Sequence, residues 1–112
     1  MKPDKAHNSS EASVVAPTAG QLRVTGTVDP DNVLALRAEG ERLISASQPG
    51  SEAPLTVKLD DLETASSIVL SLLLGWQRLA LSEHKPLAFS GVSDRLRSLA
   101  ALSGLDHHLP GF

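Results

Sequence analysis

The chain has 112 residues and no cysteine, which excludes disulfides and thiolate metal sites. It has no tyrosine, two phenylalanines and one tryptophan, so its core has to be built from Leu, Val and Ala. Basic residues are in deficit: ten Lys and Arg against thirteen Asp and Glu give a formal charge of -3. That balance argues against a general nucleic-acid binder. No apolar run is long enough to cross a bilayer. The stretch from Ile68 is interrupted by Ser71, Gly75 and Gln77 and falls short of the ~20 residues a span needs. The N-terminus, Met1-Lys-Pro-Asp-Lys-Ala-His7, lacks the apolar core of a secretory signal. The expected location is therefore the cytoplasm, without direct membrane insertion. The hydrophobic fraction of 41% and charged fraction of 21% suit a soluble globular protein, and the length suits one domain with one core.

The chain divides into a polar tail over residues 1–11, expected to be flexible, and a domain over residues 12–110. Val14 and Val15 mark a short edge strand stopped by Pro17. After a turn at Thr18-Ala-Gly20, Leu22, Val24, Gly26 and Val28 alternate along a second strand, giving an antiparallel hairpin. Asp29-Pro-Asp-Asn32 reads as a helix start, with Asp29 as N-cap and Pro30 at the first helical position. Val33, Leu36, Gly40, Leu43 and Ile44 form its apolar stripe. A Ser/Gly/Pro loop over Ser45 to Pro54 leads to the central stretch of the chain. Leu55, Val57 and Leu59 alternate along a strand, a polar loop follows, and paired serines, Ser66 and Ser67, open an apolar helix running to about Ser82. Leu87 to Ser90 is a fourth strand. Ser93 is the N-cap of a third helix with a buried row of Leu96, Leu99 and Leu102, and Gly104 fits its C′ position. Leu105 to Phe112 reads as a tail. The order β-β-α-β-α-β-α predicts an α/β fold: a four-stranded mixed sheet with the hairpin at one edge and helices mainly on one face.

The second helix carries the clearest functional signal. At about 100° per residue, Ile68, Val69, Leu72, Leu73, Trp76, Leu79 and Ala80 cover a broad core face, while Leu70, Leu74 and Leu81 fall on a separate line. Between them runs a row of Ser67, Ser71, Gly75, Arg78 and Ser82. Two readings stay open: the extra leucines are covered by neighbouring helices, or they form a docking groove where small residues admit a partner. On the docking reading, Leu74→Asp abolishes partner binding and leaves the domain folded.

Other candidates point away from catalysis. His7, His84, His107 and His108 do not have the spacing of a zinc site, and no metal is expected. Asp60, Asp61 and Glu63 read as a solvated loop with helix-capping acids. No Ser-His-Asp order, nucleophile elbow or glycine phosphate loop is present, and the serines have no evident base. Arg95 and Arg97 read as the solvated face of the third helix.

Leu22-x-Val-x-Gly-x-Val-Asp29, Val57-x-Leu-Asp60, the Ser-rich helix entrance, and Gly91-Val-Ser-Asp with Leu96-x-x-Leu-Ala-x-Leu-x-x-Leu105 together resemble the STAS domain family, the fold of anti-sigma-factor antagonists, and within it the MlaB subtype. The resemblance runs from about Leu22 to Pro110. It places Ser66 on the family's Asp position and Ser67 on its hydroxyl position, a phosphorylation switch in the antagonists and a contact with the ATPase in the transporter subunit. Asp29 matches the acidic residue at the end of the second strand, as a supporting loop. Ser66 in place of Asp, and Ile68-Val69 in place of small residues, depart from the antagonist pattern. The resemblance implies a non-catalytic, cofactor-free accessory subunit of an Mla-type phospholipid ABC transporter. It would bind the cytoplasmic ATPase, itself in complex with a membrane permease, through Thr64, Ser66, Ser67, Ser71 and Leu74. An anti-sigma-factor antagonist phosphorylated at Ser67 is the alternative.

Overall fold

The computed structural model describes residues 12–47 and 55–112. The tail over residues 1–11, with His7, and most of the Ser/Gly/Pro loop lie outside the described residues. In chain order the elements are β1 (Ala12–Val15), β2 (Gln21–Gly26), α1 (Val33–Ala46), β3 (Leu55–Lys58), α2 (Ser67–Ser82), β4 (Leu87–Ser90), α3 (Asp94–Leu102) and a single 3-10 turn over Asp106–His108. The sheet order is β1-β2-β3-β4. β1 pairs antiparallel with β2, and β2, β3 and β4 run parallel. This is the four-stranded mixed sheet and element order that the residue pattern predicts.

The register explains the core. Leu22 stands beside Val57, and Val57 beside Phe89, so one buried row crosses the three parallel strands. Both crossovers step the same way across the sheet, and right-handed connections then place α1 and α2 on the same face. Their C-terminal ends meet there. Lys85 Nζ donates to the carbonyls of Ile44 (3.1 Å) and Ser45 (2.8 Å), filling acceptors that the end of α1 leaves open. In the middle of the pair, Gly40 of α1 lies directly against the indole of Trp76, and the indole Nε1 donates to the Arg37 carbonyl at 3.1 Å. Trp76 is fully buried. Glycine at position 40 is what allows this approach, since a methyl group there would overlap the ring.

Four details differ from the sequence expectation. α1 begins at Val33, not at Pro30, because Asp29 and Asn32 close a reciprocal turn ahead of it. Asp29 Oδ1 accepts from the Asp31 and Asn32 amides, and Asn32 Oδ1 accepts from the Asp29 amide. In α3 the buried residues are Leu96 and Ala100, with Leu99 half-buried, while Leu102 is 85% exposed. Position 102 is six residues, about 120°, away from Leu96 around the helix. Leu105 to Phe112 is no loose tail. The Phe89 amide donates to the Pro110 carbonyl (2.8 Å), Phe112 packs edge-on against Phe89, and Leu109 is buried. This segment covers the free edge of β4, which would otherwise offer unpaired backbone groups. On α2, Leu70 is buried with the core, so the separate leucine line reduces to Leu74 and Leu81.

Candidate partner-binding site

The parallel strands all end on one side of the domain, and the loops leaving them gather there with the start of α2. A short bridge between Gly26 and Leu62 carries the β2–β3 pairing past the strand ends. The Gly26 amide donates to Asp61, and Glu63 donates back to Gly26. Arg23 holds Asp61 in an exposed ion pair at 2.6 Å. Asp60 lies against Gly91, whose φ of 71° and missing side chain leave room for the carboxyl group. The acids of this loop therefore brace strand ends. They do not cap α2, whose first turn contains no acidic residue.

The five side chains proposed from sequence fall into different environments. Thr64 Oγ1 accepts from the Val28 amide at 2.8 Å, tying the loop to the residue before Asp29. The Asp29 carboxylate is engaged within its own turn. Ser66 is the N-cap of α2, yet its side chain accepts no hydrogen bond, and Oγ is buried without a partner among the described residues. Ser67 and Ser71 are exposed, one turn apart on the outer side of α2. Leu74 is half-buried farther along the helix and packs against the core from its edge. Two of the five residues thus present hydroxyls to solvent, and two point inward.

The row of small residues is not open along its whole length. Gly75 is covered by the Arg37 side chain, whose Nε stands 3.1 Å from where a Cβ would be. One turn earlier on each helix, Ser71 is exposed on α2 and Leu34 is 76% exposed on α1. Leu34 escapes a reading based on the apolar stripe because it is out of phase with Val33, Leu36 and Gly40. That mismatch was its only signal. Exposed Arg78 and Leu81 complete the outer side of α2. Hydroxyls, a guanidinium and leucines together form a contact surface: small groups for close approach, apolar groups for burial and a cation for orientation. His84 and His107 are exposed, and no group of three His, Asp or Glu side chains among the described residues could hold a metal ion. No helix of the described residues is long and apolar enough to cross a membrane.

A family model described as "Mlab, STAS domain" matches residues 13–111. Among solved structures, the anti-sigma factor antagonist SpoIIAA in its unphosphorylated form is similar at 18% identity and a TM-score of 0.64, over 90% of this chain and 87% of that one. The Bacillus cell fate determinant SpoIIAA in the phosphorylated form is similar at 19% identity and a TM-score of 0.62, over 90% of each chain. No curated protein matches. At these identities the likeness to SpoIIAA establishes the fold.

Proposed function

The chain belongs to the family described as Mlab, STAS domain, and from that premise we propose that it is a non-catalytic accessory subunit of an Mla-type phospholipid ABC transporter. It binds the cytoplasmic ATPase, supports its assembly and activity, and so helps maintain outer-membrane lipid asymmetry. The chain reaches the inner membrane only through that partner. The observation that carries this reading is the exposed face of α2, where Ser67 and Ser71 stand one turn apart at the carboxyl ends of the parallel strands. Leu34 extends this face across α1, and Leu74 closes it along α2. Thr64 and Ser66 support it from within, by holding the loop and the helix entrance.

A second reading draws on the two SpoIIAA structures, one of an anti-sigma factor antagonist and one of a phosphorylated form. In that reading Ser67 is phosphorylated and the partner is a serine kinase. Ser67 is exposed on the first turn of a helix, where phosphate is electrostatically tolerated. Against it, a buried hydroxyl without a partner stands at Ser66, where the antagonists carry Asp. Affinity purification of the full chain from native membranes separates the two. Co-recovery of an ABC ATPase with its permease supports the transporter role. Recovery of a soluble serine kinase, with phosphate found on Ser67, replaces it with the antagonist role.

A further inference from the structure

Beyond the serine-bearing half of α2, its second half and the C-terminal segment enclose a cavity of about 180 Å3. Leu74, Leu81 and Leu105 supply apolar walls, and Gln77, Arg78 and His108 supply polar groups. Two of those polar groups are unmatched. Gln77 is only 8% exposed, and its Oε1 is buried with no hydrogen-bond partner among the described residues. A buried carbonyl without a donor is disfavoured, and native structures contain few. Arg78 is exposed and takes part in none of the ion pairs among the described residues. The cavity is smaller than the roughly 300 Å3 at which small-molecule sites begin. It is the size for one aliphatic side chain.

We propose that this cavity is a docking pocket for a peptide segment of a protein partner, one that presents a leucine-sized side chain with a carboxylate beside it. The side chain packs among Leu74, Leu81 and Leu105. The segment's backbone N–H donates to Gln77 Oε1, and its carboxylate meets the Arg78 guanidinium at the rim. The backbone donor distinguishes a peptide from a fatty acid. An ionised fatty acid has the aliphatic chain and the carboxylate but nothing to offer Gln77. The pocket lies apart from Ser67, so its test stands whether or not the transporter reading holds.

The test is an NMR titration of the isotope-labelled full chain with three probes. N-acetyl-L-leucine carries the side chain, the N–H and the carboxylate. 4-Methylpentanoate lacks the N–H, and N-acetyl-L-leucine amide lacks the carboxylate. Expected are saturable shifts of the Gln77 side-chain amide and of the Leu105 and His108 backbone amides with N-acetyl-L-leucine. Binding should weaken about tenfold for each of the other two probes. Gln77→Leu removes the unmatched acceptor, so it should fold at least as stably as wild type and lose the preference for N-acetyl-L-leucine over 4-methylpentanoate. Arg78→Gln should weaken N-acetyl-L-leucine and leave its amide unchanged. Equal binding of 4-methylpentanoate to wild type would overturn the peptide assignment in favour of free lipid acids. Absence of any saturable shift with N-acetyl-L-leucine would overturn the pocket itself.

Discussion

Replacing Gly40 with alanine sets two effects of opposite sign against each other. Glycine inside a helix is about 1 kcal/mol less favourable than alanine, so propensity alone predicts a stabilised protein. The structure predicts the reverse. A methyl group at position 40 overlaps the Trp76 indole, a fully buried side chain with no free space to retreat into. Overpacking of that kind costs about 1–3 kcal/mol. Moving the ring also strains the 3.1 Å hydrogen bond from its Nε1 to the Arg37 carbonyl, worth a further ~0.5–1.5 kcal/mol. After the propensity gain is offset, a net loss of about 1–3 kcal/mol remains. Trp76 is the single tryptophan, so urea unfolding followed by its fluorescence reports directly on the contact. Ala38→Gly, an exposed site on the same helix, calibrates propensity alone at a loss of about 1 kcal/mol. If Gly40→Ala proves neutral or stabilising, the close packing of α1 on α2 is refuted.

Three further outcomes follow from side chains near the helix ends. Ser66→Ala should leave urea stability within about 0.5 kcal/mol of wild type or raise it, because the hydroxyl it removes is buried and unpaired; a loss of the ~1 kcal/mol typical of an N-cap serine would show that Ser66 caps α2 after all. His84 ends α2 in a left-handed conformation with φ of 58°, so His84→Gly should raise stability by about 0.5–1 kcal/mol, and a lowered melting temperature would contradict this. The Glu83 carboxyl is held below its ordinary value of 4.5 by a hydrogen bond from the Ser45 hydroxyl and by nearby Lys85, against some opposing desolvation. A depressed folded-state value means a contribution present above the unfolded value and lost as pH falls through the folded one. Glu83→Gln should therefore flatten the acid limb of the stability curve below pH 4.5, and an acid limb as steep as that of wild type would disprove the contact.

Much of the fold is written locally. The alternation in Leu22-x-Val24, Leu55-x-Val57 and Leu87-x-Phe89 specifies which strand face is buried. Ser93 caps α3 as its position suggests, accepting from the Leu96 amide, and Gly104 occupies the C′ position. Misreadings arise where a side chain has two possible partners. Asp29 could cap a helix or close a turn with Asn32, and it does the latter. Ser66 could accept a first-turn N–H or turn inward, and it turns inward. The candidate site is legible only in part. The exposure of Ser67 and Ser71 follows from the helical phase of α2. The inward use of Thr64 depends on Val28, 36 residues earlier. The cavity joins Gln77 to Leu105 and His108, and no local periodicity connects residues on separate elements. Leu105 and His108 reach that place only because the C-terminal segment folds back to cover β4.

The most direct test of the proposed role is complex formation with the transporter itself. The full chain, the ABC ATPase and its permease are co-expressed and resolved by size exclusion, with wild type compared against Ser67→Glu and against Ser98→Glu on the exposed side of α3. The account predicts that wild type and Ser98→Glu co-elute with the ATPase, while Ser67→Glu separates from it as a folded protein. Co-elution of Ser67→Glu with the ATPase, to the same extent as wild type, would contradict the assignment of the α2 face as the contact.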